Sequence, residues 1–145
     1  MSLKVELKPG ERLIVGNSVI TNSDQRTRLT IDGKLPILRE KDIMTAEQAD
    51  TPAKLIYLAV QLMYLEGSFQ ASRTEYFSLV NAMAMAEPNS IPLLDDINNE
   101  ILTNNLYKAL KASKKLIQFE REQGEHAESS RAGIPADGPD DGSAA

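Results

Sequence analysis

Asp50-Thr51-Pro52-Ala53-Lys54-Leu55-Ile56-Tyr57-Leu58-Ala59-Val60-Gln61-Leu62-Met63-Tyr64-Leu65-Glu66-Gly67 divides the chain into two halves of different character. Thr51 has an acceptor side chain at an N-cap position, and Pro52 supplies the fixed φ that suits a first helical residue. Gly67 offers the left-handed conformation that closes a helix. The spacing predicts a helix from Pro52 to Glu66. Its apolar residues lie almost all round, which predicts cover on several sides and a central place in the core. The run from Leu55 to Leu65 is broken by Gln61 and is too short to span a bilayer. Downstream the period stays helical. A second helix is expected from about residue 71 to 87, striped by Tyr76, Leu79, Val80 and Met83. A third helical region is expected from about 92 to 123, bent near Asn104-Asn105.

Upstream the period is two. Leu3, Val5 and Leu7 alternate with Lys4, Glu6 and Lys8 until Pro9-Gly10 stops the run. Arg12 to Val15 and Val19 to Thr21 read as strands around a tight turn at Gly16-Asn17-Ser18. Arg26 to Ile31 alternates again, with Arg26 and Arg28 on one face. Asp32-Gly33 is a hairpin signal, so residues 34–38 are expected as its return strand, edge-placed or bulged at Pro36. The reading is α+β: a small antiparallel sheet in residues 1–44, a helical bundle in 45–123, and a disordered acidic tail in 124–145. So small a sheet cannot bury enough surface alone, so it needs the helices or a second copy as cover.

The 145 residues carry a net charge of -5 and no cysteine. Without cysteine there is no disulfide scaffold, thiolate zinc site or cysteine nucleophile. The charged start, Lys4 to Glu6, lacks the apolar run of a signal peptide, and a soluble cytoplasmic protein is expected. The charge is uneven. Residues 1–44 hold eight Lys/Arg against six Asp/Glu, residues 45–123 seven against ten, and residues 124–145 one against five. An acidic total argues against a non-specific nucleic-acid binder, but the first segment is mildly basic.

Catalytic equipment is sparse. The one histidine, His126, falls in the expected tail, where nothing orients it for a triad or a metal. Gly10, Gly16 and Gly33 are isolated turn glycines, not a phosphate loop. Asp95-Asp96 are neighbours that point in different directions on a helix and suit its first turn. No enzyme, cofactor or metal is expected.

Two basic groups remain. Lys8, Arg12, Arg26, Arg28, Lys34, Arg39 and Lys41 lie on the β segment. They suit phosphate and base contacts, but from the residues alone the favoured reading is a solvated strand face whose charges discourage edge pairing. Lys108, Lys111, Lys114 and Lys115 follow helical spacing, and lysines near a helix C-terminus are expected from its dipole alone. The aromatics fall in or beside the helices and none interleaves with the β-segment arginines, so base stacking has no candidate there.

Residues 3–11, Leu-Lys-Val-Glu-Leu-Lys-Pro-Gly-Glu, resemble the FlbT family of flagellum-biosynthesis regulators. So do Leu38 to Met44, Thr51-Pro52-Ala53 leading into its helix, and Tyr107 to Lys111. The likeness covers about residues 1–123. It implies control of flagellin after transcription, usually repression through the 5′ untranslated leader of flagellin mRNA and decay of the message, with FlaF as a companion regulator. A weaker likeness joins Gly10 to Gly16 and Leu38 to Ile43 to the CsrA family of carbon storage regulators. It implies a CsrA-like sheet in an intertwined dimer, with Arg39 as the key RNA contact and Lys8, Arg12, Arg26, Arg28 and Lys41 in support. This sequence has Leu38 where that family has histidine, and Leu7 where it has a base. Two readings stand: an RNA-binding repressor, or a helical module that binds flagellin or FlaF and affects the message indirectly. A homodimer without membrane contact is expected under both.

Overall fold

The computed structural model describes residues 2–133, with side chains to residue 125. Five strands come first: β1 (Ser2–Leu7), β2 (Arg12–Val15), β3 (Ser18–Thr21), β4 (Thr27–Asp32) and β5 (Ile37–Arg39). A 3-10 turn at Glu40–Asp42 leads to α1 (Pro52–Glu66), α2 (Arg73–Ala86), α3 (Ile91–Leu102) and α4 (Leu106–Gly133). The α+β class is as the sequence predicts.

The strands form two antiparallel sheets, β1-β4 and β3-β2-β5. Val5, Leu7 and Leu13 are buried between them, with Val15, Leu29, Ile31 and Ile37 packed alongside. The alternate residues of the second sheet, Ile14 and Leu38, join the helical core instead. Strand β2 is therefore covered on both faces, which is why Leu13-Ile14-Val15 reads as a continuous apolar run. Gly16, at φ +64, takes the first turn position between β2 and β3, where a two-residue hairpin needs positive φ.

The hairpin expected at Asp32-Gly33 does not form. β4 pairs with β1 in the register Val5↔Leu29, and β5 pairs with β2 in the register Ile14↔Leu38. The first pairing delivers Val5 and Leu29 to the inter-sheet core; the second sends Ile14 and Leu38 to the helical core and Leu13, Val15 and Ile37 to the inter-sheet core. Pro36 has no N–H for a ladder with β4, and its carbonyl accepts from Gly16 N–H at 2.8 Å. The Asp32 carboxylate is taken by the Ser2 hydroxyl.

Helix α1 is bounded as the sequence predicts. Thr51 Oγ1 accepts from Lys54 N–H at 3.3 Å, and Gly67, at φ +70, lets Ser68 N–H reach Met63 O at 3.0 Å. Glu120 of α4 adds a distant cap, accepting from Ala53 N–H at 3.0 Å. α1 packs against both α2 and α4, but Leu55 and Leu62 stay exposed, so its cover is incomplete. The expected bend at Asn104-Asn105 is a full break. Asn104 takes φ +61, which asparagine tolerates better than most residues, and α4 turns back along α3. Helix α4 runs past Gly124 to Gly133, with side chains described to residue 125. Residues 134–145, the rest of the expected tail, lie outside the described residues.

Three polar residues on one stripe of α1 tie the β half to the helices. Tyr57 Oη donates to Asp42 O at 2.5 Å. Gln61 accepts from Met44 N–H at 2.7 Å and donates to Met44 O at 3.0 Å. Tyr64 Oη accepts from Ile37 N–H at 3.1 Å and donates to Ile37 O at 2.9 Å. Positions 57, 61 and 64 follow helical spacing, so all three reach the same connecting segment. Gln61 is 5% exposed, and its amide completes the backbone pairing of Met44. Gln61→Leu keeps the volume and orphans both Met44 groups. A loss of about 1–3 kcal/mol in urea unfolding is expected, and an unchanged midpoint would refute this account.

Burial raises the Tyr57 phenol well above its ordinary value of 10.0, reinforced by the Asp42 carboxylate, and burial raises Tyr64 in the same direction. Folding therefore favours the neutral phenols. That stability is complete below about pH 10 and is lost as pH climbs through the folded-state values. Melting temperatures should fall on the alkaline side, less steeply in Tyr57→Phe than in the wild type.

Candidate nucleic-acid interface

The segment held by α1 carries the sequence Arg39-Glu40-Lys41-Asp42, and its four charges separate by sign. The acids are anchored. Glu40 accepts from Arg12 N–H at 2.8 Å and pairs with Arg12 Nε at 3.3 Å. Asp42, whose side chain is 11% exposed, meets the Lys114 ammonium of α4. The bases are free: among the described residues Arg39 and Lys41 make no ion pair and are exposed.

Beside them runs an open groove of about 690 Å³ between the β5 edge and α4. Arg39, Lys41, Lys111 and Lys114 line it against a single carboxylate, Asp42. Leu35, Ile37 and Leu3 supply apolar floor, and two tyrosines complete it. Tyr64 and Tyr107 lie 5.6 Å apart between ring centroids, and Lys111 Nζ stands 5.2 Å from the Tyr107 ring centre. Tyr107 is 43% exposed, enough to offer its ring to a ligand. Cations around an exposed aromatic ring are the equipment of single-strand binding, where phosphates meet the charges and bases stack on the ring.

Lys8 and Arg12 lie next door. They share a shallow depression with Glu40 and Lys41, so Lys41 belongs to both surfaces. Arg26 and Arg28 lie elsewhere, on the outward face of β1-β4. Arg26 pairs with Glu6 at 3.2 Å, and Arg28 stands opposite Glu6 in the strand register. Of the six residues expected as RNA contacts, the structure thus gathers Lys8, Arg12, Arg39 and Lys41 and sets Arg26 and Arg28 apart.

Two readings of the sequence change. The helix lysines do not sit at a C-terminus. α4 begins at Leu106 and runs to Gly133, so Lys108, Lys111 and Lys114 fall in its first turns, where the dipole gives no reason for cations. The aromatics, remote from the arginines in sequence, meet them in space at Tyr64 and Tyr107. The helical spacing of Tyr57, Gln61 and Tyr64 was the available signal for the β5-side wall; nothing in the sequence announced that α4 would lie beside it. Asp95 and Asp96, exposed on α3, fall beyond its first turn. Among the described residues no three His, Cys, Asp or Glu side chains converge as a metal site, and no helix is long and apolar enough to cross a membrane.

The fold and groove define a class: a small α+β protein with a cationic, tyrosine-lined groove where its sheet meets its bundle. Comparison with known sequences gives the family. The family model described as flagellar protein FlbT matches residues 3–123, and the chain belongs to the FlbT family. It is similar to the probable flagellum biosynthesis repressor protein FlbT 1 of Bradyrhizobium diazoefficiens, 60% identical over 121 residues that cover 83% of each chain. It is 51% identical over 122 residues to a probable flagellum biosynthesis repressor of Rhodopseudomonas palustris, covering 84% of this chain and 97% of the relative. The flagellum biosynthesis repressor protein FlbT of Caulobacter vibrioides is 38% identical over 141 residues, covering 95% and 98%. No solved structure matches the chain.

Asp42 and Lys114 both line the groove, and the Lys114 side chain is 47% exposed. A double-mutant cycle between the two should give a coupling of about 0.5–1 kcal/mol that shrinks with added salt. Zero coupling at low salt would mean that the pair does not hold α4 against the connecting segment.

Proposed function

We propose that this protein is a non-enzymatic, cytoplasmic repressor of flagellin synthesis that binds the 5′ leader of flagellin mRNA and thereby blocks translation or promotes decay. The relatives' names support the repressor role in flagellum biosynthesis. The observation that carries the RNA reading is the groove, where Arg39 and Lys41 from one end of the chain meet Lys111 and an exposed Tyr107 from the other. Arg39 supplies a forked donor for phosphate or a guanine edge, Lys41 and Lys111 supply point charges, and Tyr107 supplies a stacking face for an unpaired base. Lys111 sits on that face in the free protein and is released to phosphate when a base replaces it. Lys8 and Arg12 add two cations past Lys41, in a depression shared with the carboxylates of Glu11 and Glu40.

The experiment is a leader-RNA titration by gel shift or anisotropy. Arg39→Ala and Lys111→Ala should each weaken binding about 5- to 100-fold, in line with the loss of one good contact. Tyr107→Ala should weaken it by a similar factor, with Tyr107→Phe close to wild type. Arg26→Ala and Arg28→Ala should leave affinity nearly unchanged. The slope of log K against log salt should be near -2, as about three neutralised phosphates of a single strand require. Equal affinity in the Arg39, Lys111 and Tyr107 variants would overturn the assignment.

A second reading, a protein-interaction module for flagellin or FlaF, is favoured by a different feature. An apolar cleft of about 320 Å³ opens between α1, α2 and α4, lined by Leu55, Leu79, Met83 and Phe119. Pure protein that ignores leader RNA at low salt yet retains flagellin or FlaF would select this reading. Loss of that retention in Leu79→Glu would locate it at the cleft.

A further inference from the structure

Strand β3 is the open edge of the β3-β2-β5 sheet, and all four of its residues, Ser18-Val19-Ile20-Thr21, are exposed. Val19 is 60% exposed. Every other strand among the described residues carries charge; β3 has none, and its neighbours Asn17, Asn22 and Ser23 add none. Native sheets protect a free edge with charge, proline, a bulge or a covering element, and this edge has no such protection. The backbone polarity of the strand is also fixed. Asn22 N–H donates to Glu11 O at 2.9 Å, and in the register Leu13↔Ile20 the even-numbered residues face β2. Val19 and Thr21 therefore turn their N–H and C=O outward.

We propose that β3 is a homodimerisation edge, occupied by β3 of a second copy running antiparallel about a two-fold axis at Ile20. The result is one continuous six-stranded sheet. Self-pairing suits this strand for a geometric reason. A two-fold axis perpendicular to the sheet keeps every side chain on its own face, so paired positions must differ by an even number. The two residues with outward groups, Val19 and Thr21, are two apart. Val19 then pairs with the partner's Thr21, Thr21 with the partner's Val19, and the two Ile20 side chains meet on the axis. β-branched cross-strand pairs of this kind stabilise antiparallel sheets. The uncharged strand complements itself and offers a charged strand nothing to pair with.

The arrangement has a consequence for the groove. Strand β5 forms the opposite edge of each sheet, so the two Arg39 residues end up five strand spacings apart, roughly 24 Å along the joined sheet. A dimer built this way presents two grooves at its outer ends and leaves both open. The proposal does not depend on what the grooves bind.

Light scattering on the full chain over a concentration series tests it. The wild type should be dimeric in the upper micromolar range. Val19→Lys brings two ammonium groups together across the axis and should raise the dimer dissociation constant at least about tenfold. Thr21→Pro deletes one outward N–H and leaves the bonds between β2 and β3 intact, so it should weaken the dimer while the monomer stays folded by circular dichroism. A wild type that is monomeric up to about 100 μM overturns the proposal, also when a partner protein's strand takes β3 instead. An unchanged dissociation constant in the folded Thr21→Pro protein overturns it too.

Discussion

Three hydrogen-bonding side chains on one stripe of α1 determine where everything else lies. Tyr57, Gln61 and Tyr64 fasten the backbone of Ile37, Asp42 and Met44 to the central helix. A chain leaving a sheet for a helical bundle carries backbone groups that neither element satisfies, and leaving them unpaired in the core is costly. Tyr64 behaves toward Ile37 as a neighbouring strand would, with one bond in each direction, and so covers part of the β5 edge. The same tyrosine forms one wall of the groove. The bonds that close the fold and those that shape the site are therefore the same bonds, and damage to α1 at these positions should reach both.

The electrostatics follow from that anchoring. A net charge of -5 describes the chain and not the groove, which sets four cations against one carboxylate. In the Arg39-to-Asp42 segment the acids are drawn to cations of the body, Arg12 and Lys114, and the bases are left facing water. A bound polyanion meets Arg39 and Lys41 without first breaking their ion pairs. With so few charges, affinity depends on placed contacts more than on a broad field, and acidic surroundings disfavour non-specific polyanions.

Much of the fold could be read from the sequence. The strands up to Ile31 and the caps of α1 follow from local chemistry: a period of two, a turn glycine at Gly16, Thr51 before Pro52, and Gly67. Strand partners were not legible beyond the β2–β3 hairpin, because pairing is decided by which faces share a core. Asp32-Gly33 has the chemistry of a tight turn, yet Leu29 and Ile31 gain more against Val5 and Leu13 than β4 gains by folding back on β5. Half of the groove was legible, since Arg39 and Lys41 stand out beside Glu40. The other half was hidden because Tyr107 and Lys111 lie far along the chain and meet Arg39 only through the packing of α4 on α1. Their spacing reads equally well as an ordinary helix surface.

The central claim is that residues 37–44 and the first turns of α4 act as one surface toward RNA. Hydrogen exchange on the protein with and without leader RNA, at low salt, measures this directly. Slowed exchange in 37–44 and in 106–115 together, with 26–32 unaffected, is the predicted result. Protection confined to 26–32, or none anywhere at saturating RNA, would contradict it.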